Sequence, residues 1–325
     1  MQGRQRIALW CLIGAVLLLT ARLTWGFAHS HVEPGRLPPA GESLQGKTPF
    51  TFAVVGDNRG NNAVFDEILA SIRQDGVSLV IHTGDIVKEC TKQNYEWILH
   101  ELAETDPGVP FCAVRGNHDE ASSGTNIYRL YERAFGPRRY WFSYGNTMFV
   151  GLGNYGRTET YRQEDLDWLD ETLCQYRGAY KGCIVFTHVP PRDPRAGGHH
   201  AQSESAGEAM MGVLKKHSVT ALFAGHIHSY LEDQMDGIPI YITGGAGAER
   251  VEPVVAYHYL LCAVQSDGKL EVRKVDVRDV VNTDYPEYAF SVKFPVAASL
   301  VGVGVLLLAG IFLARDGVRL GCAGG

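Results

Sequence analysis

Phe50-Thr51-Phe52-Ala53-Val54-Val55 runs directly into Gly56-Asp57-Asn58-Arg59-Gly60. The aromatic and β-branched run reads as a buried strand, and the glycine-flanked polar cluster reads as the turn that ends it. The same pattern recurs four times along the chain. Residues 77–82 lead into Thr83-Gly84-Asp85, and 111–114 into Gly116-Asn117-His118-Asp119. Residues 183–186 lead into Thr187-His188, and 221–224 into Gly225-His226-Ile227-His228. Each cluster therefore falls where a strand ends, the usual place for ligands on an α/β sheet.

Between these strands, 62–74, 93–104, 127–135, 163–175 and 208–217 read as helices. In the first, Phe65, Ile68, Leu69 and Ile72 share one face. Residues 140–144 and 148–152 read as a hairpin turned at Gly145-Asn146. Beyond 224 the pattern changes: 230–234, 238–242, 259–264 and 270–275 read as strands with no helix between them. The chain is thus an α/β domain over 49–275, expected to hold two packed sheets with helices outside.

The composition is that of an ordinary globular protein: 325 residues, 45% hydrophobic and 20% charged. A net charge of −6 gives no bulk attraction for nucleic acid, and no nucleic-acid partner is expected. Anionic ligands remain compatible if bound cations supply local positive charge. Of the seven cysteines, Cys112 and Cys183 lie in apolar runs and read as core; Cys174 and Cys183 admit a bridge.

Both ends are apolar. Arg4 and Arg6 precede an uncharged stretch over 7–21, so 1–30 reads as a signal peptide or a signal anchor. A Pro- and Gly-containing linker follows over 31–48. A second linker covers 276–293, and 294–314 is free of charge and long enough to cross a bilayer. Arg315 and Arg319 in the 315–325 tail place that tail in the cytoplasm, and the domain on the extracytoplasmic side of the membrane.

The Asp, Asn and His residues at the five strand ends are donors that suit hard and borderline divalent cations. In order and context, Gly-Asp, Gly-Asp, Gly-Asn-His-Asp, Thr-His and Gly-His-x-His resemble the calcineurin-like metallophosphoesterase superfamily. Its members include purple acid phosphatases, nucleotidases and class III cyclic-nucleotide phosphodiesterases. Tyr230 and the Gly244-Gly245-Ala246-Gly247 run resemble the purple-acid-phosphatase-like branch.

The resemblance implies a four-layer α/β/β/α sandwich and two divalent metal ions, with Mn²⁺, Fe²⁺ and Zn²⁺ all compatible. It implies that Asp85 bridges the two ions, that Asp57 and His228 hold the first, and that Asn117, His188 and His226 hold the second. It makes His118 the catalytic histidine beside the scissile phosphate and gives Asp119 the task of holding it. A bridging carboxylate sets two cations about 3.5–4 Å apart, and metal-bound hydroxide then attacks phosphorus in line. His118 protonates the leaving oxygen.

Two positions depart from the pattern. Many members carry a histidine two residues after the first aspartate; here Arg59 stands there, and a guanidinium cannot ligate a metal. The purple enzymes carry a tyrosine three residues after the second aspartate; here it is Lys88. The first metal site thus lacks a protein ligand, and Arg59 is read as a clamp on the substrate phosphate. The implied function is hydrolysis of phosphomonoesters. Phosphodiesterase or nucleotidase activity, or a non-catalytic binding role on the same fold, is the alternative.

Several residues have plainer readings. His82 is a buried, hydrogen-bonded histidine, and His199 and His200 belong to a solvated loop. Tyr140, Trp141, Phe142 and Tyr144 alternate as a packed strand does.

Overall fold

A computed structural model describes residues 13–14, 43–60, 62–120, 130–154 and 161–277. The chain divides into two units, Met1–His31 with Thr283–Gly325, and Val32–Asn282. All elements below belong to the second.

In chain order these are β1 (Ser43–Leu44), β2 (Phe50–Val55), α1 (Asn62–Asp75), β3 (Val80–His82), α2 (Lys92–Glu104), β4 (Phe111–Ala113), α3 (Leu130–Phe135), β5 (Arg139–Tyr144) and β6 (Thr147–Leu152). Then come α4 (Gln163–Tyr176), β7 (Gly182–Thr187), α5 (Glu204–Lys216), β8 (Ala221–Ala224), β9 (Tyr230–Met235), β10 (Ile238–Thr243), β11 (His258–Val264) and β12 (Leu270–Asp276). They form a seven-stranded sheet, ordered β1-β5-β6-β7-β8-β10-β9, and a five-stranded sheet, ordered β12-β11-β2-β3-β4.

The period of two along each strand sorts the apolar residues into layers. In β2, Phe52 and Val54 join Phe142, Phe149, Phe186, Phe223 and Leu260 in one cluster built from both sheets. Ala53 and Val55 face the other way and pack with Phe65, Ile68, Leu69 and Ile72 of α1. Val150 of β6 and Val185 of β7 likewise pack with Leu166, Leu169 and Leu173 of α4 and Met210, Met211 and Leu214 of α5. Helices thus cover the outer face of each sheet, and the two inner faces meet in an aromatic core. This is a mixed α/β fold with the expected layering.

Local chemistry explains several boundaries. Thr91 caps α2, its hydroxyl accepting from the Asn94 N–H at 3.1 Å. Gly145 turns the β5–β6 hairpin at φ 54°, a left-handed value that glycine adopts without strain. The strand expected over 77–82 is regular only at Val80–His82, although the Ser78 N–H already donates to the Thr51 carbonyl at 2.8 Å.

Two expectations need correction. The linker over 31–48 does not run structureless to Pro49, because Ser43 and Leu44 pair in parallel with Ser143 and Tyr144. That short strand covers an otherwise bare sheet edge. The helix expected over 208–217 begins at Glu204 and carries Gly207 inside it. A Cβ at Gly207 would sit 2.1 Å from the Pro191 carbonyl oxygen, so that glycine marks a close backbone approach and not a helix start.

Cys174 is an exposed free thiol and Cys183 a buried one, so the bridge they admitted is not formed. No helix among the described residues is long and apolar enough to cross a membrane. The apolar segment 294–314, the tail, the 278–293 part of the linker and all but Ile13 and Gly14 of 1–30 lie outside the described residues.

Candidate metal centre

Strands β2, β3 and β4 are parallel, as are β7 and β8. All five therefore end at the same edge of their sheets, and their five polar clusters converge there. Backbone bonds lock the first two clusters together. The N–H groups of Asp57, Arg59 and Gly60 donate to the carbonyls of Gly84, Asp85 and Ile86 at 3.0, 3.0 and 3.2 Å. Asp57, Arg59, Asp85 and His226 all hold left-handed backbone, at φ 59°, 48°, 56° and 68°. Such conformations on non-glycine residues cost about 1–3 kcal/mol each and cluster where side chains must be aimed.

Asp57, Asp85 and His188 are fully buried, with ligand-type atoms within 4.8 Å of one another. His188 Nε2 lies 3.3 Å from Asp85 Oδ1, 2.9 Å from Asn117 Oδ1 and 3.2 Å from His226 Nδ1. His228 Nε2 lies 3.6 Å from Asp57 Oδ1. The two Asp57 oxygens accept from the His226 N–H at 3.1 and 3.0 Å, and Asp85 Oδ1 accepts from the His118 N–H at 2.9 Å.

Three histidines are oriented in the same way. Nδ1 lies on a backbone carbonyl in His188 (Thr83, 2.9 Å), His228 (Glu249, 2.7 Å) and His118 (Lys88, 2.7 Å). Each carbonyl can only accept, so each Nδ1 carries the proton and each Nε2 keeps its lone pair for the site.

The arrangement fits a divalent cation. Burial pushes the His188 pKa down to about 4, so its ring is neutral at pH 7. Its Nε2 lone pair then faces the acceptor oxygens of Asn117 and Asp85. Turning the Asn117 amide over would relieve one of these clashes and leave the Asp85 contact unrelieved. A cation bound at about 2.1 Å relieves both, because its ligand atoms stand about 3.0–3.4 Å apart. The residues named as second-site ligands thus have the spacing that one ion needs.

The electrostatics separate the carboxylates. Burial, and then the charge of Asp85, raise the Asp57 pKa well above its ordinary value. Burial also works to raise Asp85, but His188, His118, the His118 N–H and Arg59 outweigh it and hold it low. Burial and the Asp85 charge push Asp119 up to about 7, against the pull of the Val87 and Gly116 N–H groups. Burial, followed by the Arg59 charge, pushes His228 down to about 4.

Every candidate residue lies at this edge. Arg59 reaches back over the centre: Nε is 3.6 Å from Asp85 Oδ2, and one terminal nitrogen touches His118 Nε2. Asp119 acts on the backbone, its oxygens accepting from Val87 N–H (3.0 Å) and Gly116 N–H (2.8 Å), while the His118 ring is held by Lys88. His82 is structural: Nδ1 accepts from Gly84 N–H and Nε2 donates to Asn58 Oδ1, both at 3.1 Å. The His200 ring lies 5.8 Å from that of His226, which brings the 189–207 loop beside the centre. Tyr140 and Phe142 are core, and Trp141 stacks on Tyr176 at 4.3 Å on the opposite face.

Sequence reading passed over the residues that act through backbone or through lack of a side chain. Thr83, Lys88 and Glu249 each serve by a carbonyl, a group every residue owns. Gly116 and Gly225 could have been marked: a Cβ would lie 2.3 Å from Asp85 Oδ1 and 2.5 Å from Asp57 Oδ2, respectively.

The sequence profile described as calcineurin-like phosphoesterase matches residues 50–230, more than half of the chain. Among curated relatives, a purple acid phosphatase of Arabidopsis thaliana is 27% identical over 229 residues, covering 63% of this chain and 51% of its own length. A probable cyclic nucleotide phosphodiesterase of Fibrobacter succinogenes is 23% identical over 175 residues, covering 51% of this chain and 64% of its own length. The chain thus spans between about half and two thirds of these relatives. A solved dimetal phosphatase from Danio rerio shares the fold at a TM-score of 0.54 and 16% identity, over 69% of this chain and 98% of that one. The strand-end clusters, their convergence and the profile match agree, and the chain belongs to the calcineurin-like phosphoesterase family.

Proposed function

We propose that this protein hydrolyses phosphate esters in a metal-dependent reaction and prefers monoesters. The observation that carries this reading is the facing of four lone-pair donors, on Asp85, Asn117, His188 and His226, at the edge where five strands end. Divalent ions held there supply positive charge for the phosphoryl oxygens and lower the pKa of water. The remaining roles belong to the side chains. Asp85, Asn117, His188 and His226 would hold metal, and Asp57 and His228 line the other half of the centre. His118, its Nδ1–H fixed on the Lys88 carbonyl, keeps Nε2 at the surface of the centre; once Nε2 also takes up a proton from solvent, the imidazolium gives that proton to the leaving oxygen and returns to the neutral ring. Arg59 adds a fixed positive charge beside His118. A monoester dianion gains more from that charge than a diester monoanion does. The Fibrobacter relative favours a second reading, hydrolysis of a nucleotide diester.

The two apolar end segments support attachment to a membrane, with the domain on the extracytoplasmic side. Deleting both 1–30 and 294–325 should release the protein from sedimented membranes; continued sedimentation would contradict attachment through these segments.

A panel of p-nitrophenyl phosphate and bis-p-nitrophenyl phosphate, with added Mn²⁺, Fe²⁺ or Zn²⁺, tests the reaction. Metal-dependent release from the monoester at a higher kcat/KM is expected. Faster cleavage of the diester supports the second reading, and release from neither contradicts both.

A further inference from the structure

Arg59 stands where a ligand of the first metal is missing, and its surroundings show what it does there. The backbone bonds from Asp57, Arg59 and Gly60 to Gly84, Asp85 and Ile86 fix this loop against the Asp85 loop. Arg59 holds left-handed backbone at φ 48°, and its side chain lies over the centre beside Asp85 and His118. The side chain is about three-quarters buried, with Nε 3.6 Å from the Asp85 oxygen that does not face His188. That Nε is buried and has no hydrogen-bond partner. A terminal nitrogen touches His118 Nε2.

The two halves of the centre are unequal. On the side of Asn117, His188 and His226, donor atoms stand 2.9–3.3 Å from His188 Nε2, the separations of ligands around one ion. On the other side only Asp57 and His228 are offered besides Asp85, at the longer separation of 3.6 Å. A guanidinium cannot ligate, carries a permanent charge, and repels a second cation placed beside it.

We propose that this protein works with a single divalent ion, held by Asp85, Asn117, His188 and His226, and that the Arg59 guanidinium serves as the second cation. The inference rests on the phosphoesterase reading above and makes it specific. Two carboxylates, Asp57 and Asp85, are offset by one divalent ion and one guanidinium, which leaves positive charge for a phosphate. The partly exposed Arg59 guanidinium, rather than its buried Nε, is then the donor that a phosphoryl oxygen meets. Arg59 contacts substrate on this account and is a catalytic residue.

Metal stoichiometry tests the proposal without reference to turnover. The full chain in detergent is stripped with chelator, dialysed against Mn²⁺ or Zn²⁺, and measured by elemental analysis beside Arg59→His and Arg59→Gly. Glycine suits the left-handed backbone, so Arg59→Gly keeps the experiment open if Arg59→His fails to fold. About one ion per chain is expected for the natural protein. Arg59→His should take up about two, and Arg59→Gly a second only at raised metal concentration. Two ions in the natural protein would overturn the role given to Arg59 and leave a metal-dependent phosphoesterase standing. So would a soluble Arg59→His that stays at one ion. No ion in any of the three would overturn the phosphoesterase reading as well.

Discussion

His188 Nε2 and Asp85 Oδ1 face each other at 3.3 Å, although both atoms are acceptors in this tautomer. The Thr83 carbonyl fixes the tautomer and burial keeps the ring neutral. Two lone pairs brought together in a buried site are unfavourable unless a cation joins them. The fold therefore holds a cost that metal binding removes.

Chelation should then lower thermal stability. Binding at a hundredfold excess over Kd contributes about 2.7 kcal/mol, equivalent to about 5–10 °C in Tm for a domain of this size. Calorimetry with and without EDTA checks this. Replacing Asn117 or His188 by alanine should abolish both the bound ion and the EDTA effect, and an unchanged response in His188→Ala would count against the centre.

His118 is separable from the ligands, because its ring nitrogen Nδ1 is held by Lys88. His118→Ala should keep its metal while kcat falls by about 10²–10⁴-fold, the usual range for loss of a general acid. Elemental analysis with steady-state kinetics reads both quantities. Loss of the ion would make His118 a ligand, contrary to this assignment.

Gly116→Ala should damage the centre although it replaces none of the donor residues. Its Cβ would lie 2.3 Å from Asp85 Oδ1 and 2.4 Å from the Asp85 nitrogen, so the carboxylate must move. About 10–100-fold weaker metal binding is expected, as for loss of a group that orients a ligand. Titration by calorimetry measures it; unchanged affinity would mean that Asp85 tolerates displacement.

His258 should make stability depend on pH through a group that is not one of the proposed metal ligands. It is buried beside Tyr230, its Nδ1 on the Ala256 carbonyl, and burial pushes its pKa down to about 4. An unfolded histidine titrates near 6.5, so between the two values the unfolded state binds the extra proton. Stability supplied by the neutral ring is therefore present above about pH 6.5 and lost as pH falls towards 4. From about pH 7 to about pH 4.5 the natural protein should lose about 2 kcal/mol more than His258→Phe. Denaturant melts of both proteins at the two pH values check the difference, and parallel losses would refute it.

The elements that carry the centre were legible because their signals are local. Six residues of β2 and the Gly56-Asp57 turn announce a buried strand and its end without any distant partner. The same holds for the Gly-Asn-His-Asp and Gly-His-x-His clusters. What stayed hidden depends on contacts far along the chain. Ser43 and Leu44 form a strand only because β5 offers an edge about a hundred residues away. Gly207 sits inside a helix because Pro191 passes close to it. Asp119 spans two loops through Val87 and Gly116, and no spacing in the sequence encodes that reach. The inward turn of Arg59 likewise needs the Asp85 loop as its partner.

Crystals of the protein grown with Zn²⁺ and measured at the zinc absorption edge give the most direct test. An anomalous peak about 2.1 Å from His188 Nε2 and His226 Nδ1, within bonding reach of Asn117 Oδ1 and Asp85 Oδ1, is the predicted result. A map with no peak among those four atoms, from protein that binds zinc elsewhere or not at all, would contradict the account.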